Sequence, residues 1–176
     1  MKEFVLILHN IRSVYNVGSI FRTADAVGVS KIYLSGFTPA PVDKWGRVRQ
    51  KLVKVSLGAE KNISWDNSIR SNKALIKLLK SFKKDGYKIF AIEQSKKSIA
   101  YYKVRKNKNQ KLVLILGNEL KGLPNSILKL ADKILEIPMR GVLVKQKNHP
   151  VYQKNSKESL NVGIAFAIVI FHLKYS

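Results

Sequence analysis

Short segments made only of apolar residues alternate with amphipathic segments along this chain of 176 residues. Residues 4–8 and 112–116 contain no polar position, a pattern typical of strands buried on both faces of a sheet. Between residues 17 and 27, apolar residues recur every three or four positions, which predicts a helix that ends at Gly28. A second strand is predicted over 31–34. This strand–helix–strand order indicates a parallel βαβ unit.

The remaining segments continue the alternation. The pattern predicts helices over 74–82, 125–131 and 160–173, and strands over 88–92 and 134–137. We expect residues 35–66 to be mostly irregular, and 141–158 to be polar, basic and without regular structure. The order of elements indicates an α/β fold with a mostly parallel sheet, in a single domain over 1–176.

The last predicted helix is apolar nearly all round. Such a helix must be covered on more than one side, and a domain of this size covers it most easily with a second subunit. We therefore expect a homodimer. His172 lies on this helix, where packing in a core or an interface is a simpler explanation than metal binding.

The charge of the chain indicates a polyanionic partner. Lys and Arg number 33 against 11 Asp and Glu, for a net charge of +22, while 45% of residues are hydrophobic. That composition is too apolar for a disordered polycation, and it favours RNA or DNA over a membrane surface as the partner. Because no secretory signal or membrane-spanning run is present, we expect a cytoplasmic protein.

Several common chemistries lack their motifs. The chain has no cysteine, which excludes disulfides, thiolate nucleophiles and cysteine metal sites. There is no G-x-G-x-x-G after a strand and no phosphate-binding P-loop. The three histidines are scattered and carboxylates are few, so we expect no metal.

Residues 10–25 form the first of three segments that admit both a structural and a functional interpretation. Asn16 lies near the predicted helix start, where a cap is expected, and Gly18 would permit close packing. Arg22 lies off the apolar face and could simply be solvated. Alternatively, the helix start and Arg22 could meet a phosphate.

The other two segments follow predicted strands. In one, Gly117, Glu119 and Gly122 form a turn after a buried strand, where ligands bind in open α/β sheets. In the other, Ser159 and Asn161 precede the last helix, where either could cap it or face a ligand. Each segment alone is compatible with an ordinary strand-to-helix turn.

Together the three segments resemble the motifs of the SpoU/TrmH-type RNA ribose methyltransferases of the SPOUT superfamily. The matching motifs, in order, are N-x-R-S-x-x-N-x-G-x-x-x-R-T-A from Asn10, L-G-N-E-x-x-G-L from Leu116, and I-P-M-x-G followed by S-L-N-V from Ile137 and Ser159. One such motif is weak evidence for a family, but three motifs in this order on an α/β background are specific evidence.

The resemblance implies a mostly parallel α/β sheet with a C-terminal trefoil knot, S-adenosylmethionine bound in the knot, and a homodimer without metal. It implies 2′-O-methylation of a ribose in structured RNA, for which we expect tRNA rather than rRNA. We also expect no separate RNA-binding domain. The alternative is a non-catalytic RNA-binding protein on the same scaffold.

The resemblance also assigns roles to residues. The implied catalytic residues are Arg22, Asn16, Glu119, Ser159 and Asn161. The implied cofactor-binding residues are Leu116, Gly117, Ile137, Met139 and Leu160. The residues expected to contact RNA are Arg12, Lys44, Arg47 and Arg49. Because a guanidinium stays protonated, two roles stay open for Arg22, namely activator of the 2′-OH or anchor of the adjacent phosphate.

The sequence departs from the family pattern at one place. The third motif is interrupted by an insertion at about 142–157, which carries four lysines. We expect this insertion to form a basic flap over the RNA or cofactor site.

Overall fold

The computed structural model describes residues 3–105, 110–139 and 160–176. Within them, seven parallel strands form one sheet: β1 (Phe4–His9), β2 (Lys31–Ser35), β3 (Ser64–Asp66), β4 (Lys88–Ile92), β5 (Ile99–Ala100), β6 (Leu112–Leu116) and β7 (Lys133–Glu136). Their spatial order is β3-β2-β1-β6-β4-β7-β5, and every paired neighbour runs parallel. The prediction of a mostly parallel α/β sheet is confirmed.

The helices of the described residues are α1 (Val14–Val27), α2 (Gln50–Ser56), α3 (Ala59–Asn62), α4 (Asn72–Lys84), α5 (Asn125–Leu128) and α6 (Val162–Tyr175). They cover both faces of the sheet. Along β1, Phe4, Leu6 and Leu8 pack into one apolar cluster with α1 and α6, while Val5 and Ile7 pack into the other with α4 and α5. The all-apolar sequence of this strand follows from burial on both faces.

Helix α1 begins and ends at residues suited to those positions. The Ser13 side chain accepts a hydrogen bond from the Asn16 N–H and caps the first turn, and Gly28 ends the helix with φ +72°. Gly18 faces α2, where a Cβ would lie 2.7 Å from the Leu52 carbonyl oxygen. The predicted role of Gly18 in close packing agrees with this contact, but Asn16 is not the cap.

The prediction that 35–66 is mostly irregular is wrong for its second half, which contains α2, α3 and β3. Helices α2 and α3 are two turns long or shorter, and β3 has three residues. None is long enough for a hydrophobic period to be recognised in the sequence. Strand β5 was missed for the same reason. The predicted helix over 125–131 is confined to α5, and the predicted strand over 134–137 lies at β7, one residue earlier.

The insertion expected at 142–157 lies outside the described residues, as does all of the chain between Met139 and Leu160, so the flap and the knot stay predictions. No helix in the described part of the chain is long and apolar enough to cross a bilayer.

Candidate active site

A cleft of about 450 Å³ opens where three neighbouring strands, β6, β4 and β7, end. Its walls come from the residues just after those strands and from the start of α6. Because the carboxyl ends of parallel strands share one edge of the sheet, segments distant in sequence meet here. We call it the strand-end cleft.

Glu119, just after β6, is fixed by three hydrogen bonds from the segment before and within α1. One carboxylate oxygen accepts the Arg12 N–H at 3.0 Å, and the other accepts the Ser13 N–H at 3.2 Å and the Asn16 side-chain amide at 2.9 Å. Burial alone would raise the pKa of Glu119, but these donors favour the carboxylate more strongly and lower the pKa below its usual value. The group is therefore held ionised.

Asn16, which binds Glu119, also contacts Asn161 of the third motif. Its side-chain oxygen accepts a hydrogen bond from the Asn161 amide at 2.9 Å. The Asn161 oxygen in turn caps α6 by accepting the N–H groups of Gly163 at 2.9 Å and Ile164 at 3.4 Å. Glu119, Asn16 and Asn161 thus form one hydrogen-bonded chain that joins all three motifs at the cleft.

The turn after β6 depends on its two glycines. A Cβ on Gly117 would lie 2.7 Å from the carbonyl carbon of Gly122 and from the Leu123 nitrogen, so the two sides of the turn can approach only without one. Gly122 has φ +64°, a conformation that favours glycine. A Cβ there would also collide with the Glu93 carboxylate.

Glu93 and Asn118 hold this turn in place; Asn118 is part of the second motif but was given no role, and Glu93 lies outside the motifs. Glu93, just after β4, accepts the Leu123 N–H at 2.8 Å. The Asn118 oxygen accepts the N–H groups of Leu120 and Lys121, and its amide donates to the Asn10 carbonyl oxygen at 2.8 Å. The signal available for Glu93 was its position directly after an apolar strand.

The predicted cofactor-binding residues meet in the cleft. Its lining includes Leu116, Gly117, Ile137, Met139 and Leu160. Leu116, Ile137 and Leu160 are apolar lining residues, and Leu116 and Gly117 are buried. Three glutamates, Glu93, Glu119 and Glu136, also line the cleft against one lysine, Lys121, in a chain of net charge +22. This composition fits a ligand with an aromatic base and a cationic sulfonium.

One predicted catalytic residue within the described part of the chain is not part of this arrangement. Arg22 is exposed on α1 and is not among the residues that line the cleft. Ser159 lies outside the described residues. Within the described residues, no group of His, Asp and Glu side chains is arranged to hold a metal ion.

A second hollow, of about 420 Å³, lies beside the first. It brings together three of the four residues predicted to contact RNA, Arg12, Lys44 and Arg49. Sequence reasoning missed Arg70 and two exposed aromatic residues, Phe37 and Trp45. We call this hollow the aromatic–basic groove, defined by Arg12, Phe37, Lys44, Trp45, Arg49 and Arg70.

Arg47, the fourth predicted RNA contact, packs against the groove rather than lining it. Its guanidinium pairs with Asp43 at 2.9 Å and lies 4.6 Å from the centre of the Trp45 ring. Lys44 lies 4.3 Å from the same ring. Aromatic residues set among the basic residues of 37–49 were the available sequence signal for this groove.

Comparisons with known proteins agree with this geometry. Residues 3–144 match the model of the SpoU rRNA Methylase family. A tRNA (guanosine(18)-2′-O)-methyltransferase of Aquifex aeolicus is 29% identical over 97% of this chain and 68% of its own length. A 23S rRNA (guanosine-2′-O-)-methyltransferase RlmB of Xanthomonas axonopodis is 26% identical over 97% of this chain, which spans 57% of that protein.

Solved structures give the same result for the fold. The A. aeolicus TrmH/SpoU tRNA modifying enzyme superposes with a TM-score of 0.75 at 26% identity, over 99% of this chain and 75% of its own. An AdoMet-bound rRNA methyltransferase from Sinorhizobium meliloti superposes with a TM-score of 0.76 at 27% identity, over 97% of this chain and 55% of its own.

Proposed function

The chain belongs to the SpoU rRNA Methylase family, a family of S-adenosylmethionine-dependent RNA 2′-O-methyltransferases, and we propose that it methylates a ribose 2′-OH in a tRNA. The hydrogen-bonded chain of Glu119, Asn16 and Asn161 carries the proposal. It ties three distant segments to the rim of one cleft, which a merely basic RNA-binding protein would not need.

The strand-end cleft would hold S-adenosylmethionine, whose sulfonium supplies the methyl group. Leu116, Ile137 and Leu160 would flank the adenine, the backbone at Gly117 would bind its polar edge, and Met139 would close the pocket. The carboxylates of Glu93, Glu119 and Glu136 favour the cationic end electrostatically. Positioning of the acceptor oxygen against the methyl group is then the main requirement.

Asn16 and Asn161 would orient the ribose, because both amides are themselves fixed, one by Glu119 and the other by the start of α6. Ser159 would act beside Asn161. Glu119 would serve as a positioning residue, since its oxygens already accept three hydrogen bonds.

Arg22 would act from the RNA side. It lies six residues after Asn16, about 9 Å further along the helix axis, and is exposed. A guanidinium there can bind the phosphate next to the target ribose with two hydrogen bonds and stabilise the developing alkoxide. The 2′-OH proton would pass to phosphate or water, because arginine stays protonated.

The preference for tRNA rests on similarity to the A. aeolicus protein, whose alignment covers most of both chains. Relatives that act on rRNA match as well. The first proposed partner is therefore RNA. The second is another copy of the chain, which would cover the exposed apolar side chains of α6.

The test is to incubate the purified protein with methyl-labelled S-adenosylmethionine and total RNA from a strain that lacks the gene. We expect label in one tRNA band and a 2′-O-methyl at one nucleotide. Asn16→Ala should abolish the transfer, while Lys80→Gln, an exposed change on α4, should not. Cofactor binding with label only in rRNA would overturn the tRNA assignment. RNA binding without cofactor binding would leave the non-catalytic alternative.

A further inference from the structure

The aromatic–basic groove contains two large aromatic rings turned to solvent. Phe37 is 59% exposed and Trp45 is 67% exposed, and both line the same hollow of about 420 Å³. This volume is in the range of pockets that bind small ligands. Exposed rings that share a concave site differ from single apolar residues scattered over a surface, which need no explanation.

The backbone around Phe37 is held by several hydrogen bonds although the ring is exposed. The Phe37 N–H donates to the Asn10 side-chain oxygen at 3.2 Å, and the preceding Gly36 N–H donates to the Ile69 carbonyl oxygen at 2.8 Å. On the other side, buried Thr38 donates to the Leu8 carbonyl oxygen at 2.9 Å and accepts the Ile11 N–H. Phe37 is thus presented on a fixed platform.

The groove is also strongly basic. Its lining carries four basic side chains, Arg12, Lys44, Arg49 and Arg70, against a single carboxylate, that of Asp43. That carboxylate is already engaged by Arg47 and by the Trp45 N–H. Flat apolar faces beside unneutralised cations match the chemistry of a nucleotide, whose base stacks and whose phosphate carries charge.

Two residues link the groove to the strand-end cleft. Arg12 lines the groove, while its backbone N–H donates to Glu119 in the cleft at 3.0 Å. Asn10 accepts the Phe37 N–H with its side chain and the Asn118 amide with its carbonyl oxygen. A ligand in the groove is therefore adjacent to a ligand in the cleft.

We propose that the aromatic–basic groove holds an unpaired nucleotide of the substrate RNA, adjacent to the nucleotide that is methylated, with its base stacked on Phe37 or Trp45. This inference rests on the proposed function. It restricts the substrate to a single-stranded loop or end, because bases inside an RNA helix are stacked on each other and do not offer a free face.

Trp45 gives the site its own fluorescence signal. The chain has two tryptophans, and Trp65→Phe leaves Trp45 as the only one. In this background, an octamer of oligouridylate, added without S-adenosylmethionine, should quench the Trp45 emission as a base stacks on it. A blunt RNA duplex of eight base pairs should quench it much less at the same salt concentration.

Phe37→Leu keeps an apolar side chain but removes the aromatic face. We expect it to weaken octamer binding about 5- to 150-fold, while Phe37→Tyr stays within about twofold of the parent. Tyr102→Leu is the matched control, since Tyr102 is a half-exposed ring outside the groove. Thermal unfolding of each variant shows whether it is folded.

Equal octamer affinity of the Phe37→Leu and Tyr102→Leu variants would overturn the inference, as would equal quenching by the duplex. A change of the Phe37→Leu variant from dimer to monomer in the absence of RNA would assign the groove to a second copy of the chain. The proposed function is tested separately, by calorimetric titration of the parent with S-adenosylmethionine. Cofactor binding combined with unaltered octamer binding by Phe37→Leu overturns only the inference.

Discussion

Glu119 gives the clearest prediction for a single residue. It accepts three hydrogen bonds as a carboxylate, whereas glutamine in its place would turn an amide toward some of the same donors. We expect Glu119→Gln to lower the free energy of unfolding by about 1.5–3 kcal/mol at pH 7, the range for hydrogen bonds to charged groups. Urea unfolding measures this difference.

The difference should depend on pH. The pKa of Glu119 is lowered in the folded state, so its contribution is complete above the unfolded pKa of about 4.3 and is lost as the pH falls through the folded pKa. The gap between wild type and Glu119→Gln should narrow below about pH 4.3. Exposed Asp85→Asn serves as the control. A gap that stays constant down to pH 3 would contradict the ionised state assigned to Glu119.

A second prediction for a single residue concerns Arg22 and the rate of methyl transfer rather than stability. If it holds an RNA phosphate, Arg22→Gln should lower kcat about 10²- to 10³-fold, as loss of one stabilising donor does. Arg22→Lys should recover part of the rate if charge suffices and little if the planar fork is needed. Because Arg22 does not line the cleft, the Kd for S-adenosylmethionine should stay within about twofold in both variants. A cofactor Kd that rises with the rate loss would place Arg22 in the cofactor site instead.

At the scale of elements, comparing a glycine in the turn after β6 with one elsewhere distinguishes the cost of backbone strain from the cost of a packing clash. Gly122 has a positive φ and packs against the Glu93 carboxylate, whereas Gly86 has a positive φ and no atom within 4 Å of its would-be Cβ. We expect Gly86→Ala to cost about 1 kcal/mol from strain alone. Gly122→Ala should cost more and should also weaken S-adenosylmethionine binding.

Thermal unfolding and calorimetry of the two alanine variants check this prediction. Equal losses of stability with unchanged cofactor affinity would mean that the Glu93 contact does not shape the cleft.

Elements with a distinct local signal, such as an uninterrupted apolar run or a terminal glycine, were predictable from the sequence. Strands β4 and β6 match their predicted bounds, and α1 ends at Gly28 as expected, because burial on two faces and a left-handed cap leave unambiguous signals. Helix α2 and strand β5 were not predictable, since each is too short to show a period and is stabilised by tertiary contacts.

The same distinction applies to the site. The motif residues Asn16, Glu119 and Asn161 could be proposed from their resemblance to a family. The sequence could not tell that Ser13, not Asn16, caps α1, or that the Asn16 amide is turned to Glu119. Phe37 and Trp45 were missed because a groove made by three separate segments has no periodic signature.

At the scale of the whole molecule, the net charge of +22 predicts RNA binding that weakens steeply with salt. A plot of log K against log salt concentration should lose about one unit of slope in Arg49→Gln if this guanidinium meets a phosphate. Lys80→Gln also removes one positive charge, but from α4, which packs on the face of the sheet opposite to α1 and α2. It should leave the slope unchanged. Equal slopes for both variants would mean that the charge acts only as a diffuse field.

The surface of α6 predicts how two copies of the molecule associate. One apolar stripe runs along the helix, because its residues recur at spacings of three and four positions. They are Ile164, Ile168, Phe171 and Tyr175. Ile164, Phe171 and Tyr175 are 53%, 44% and 70% exposed, and the rings of Phe171 and Tyr175 stack 5.9 Å apart. An apolar stripe of this kind is typical of a helix that packs against another helix.

We expect sedimentation velocity to give about twice the chain mass of 20.0 kDa for the wild type. Phe171→Glu should shift the protein toward monomer, because a carboxylate buried between two apolar helices would lie unpaired. Lys174→Glu introduces the same side chain on an exposed position of α6 outside the stripe and should leave the dimer intact. If Phe171→Glu remains a dimer and Lys174→Glu dissociates, the association uses another face of α6, and the stripe must be explained by a different partner.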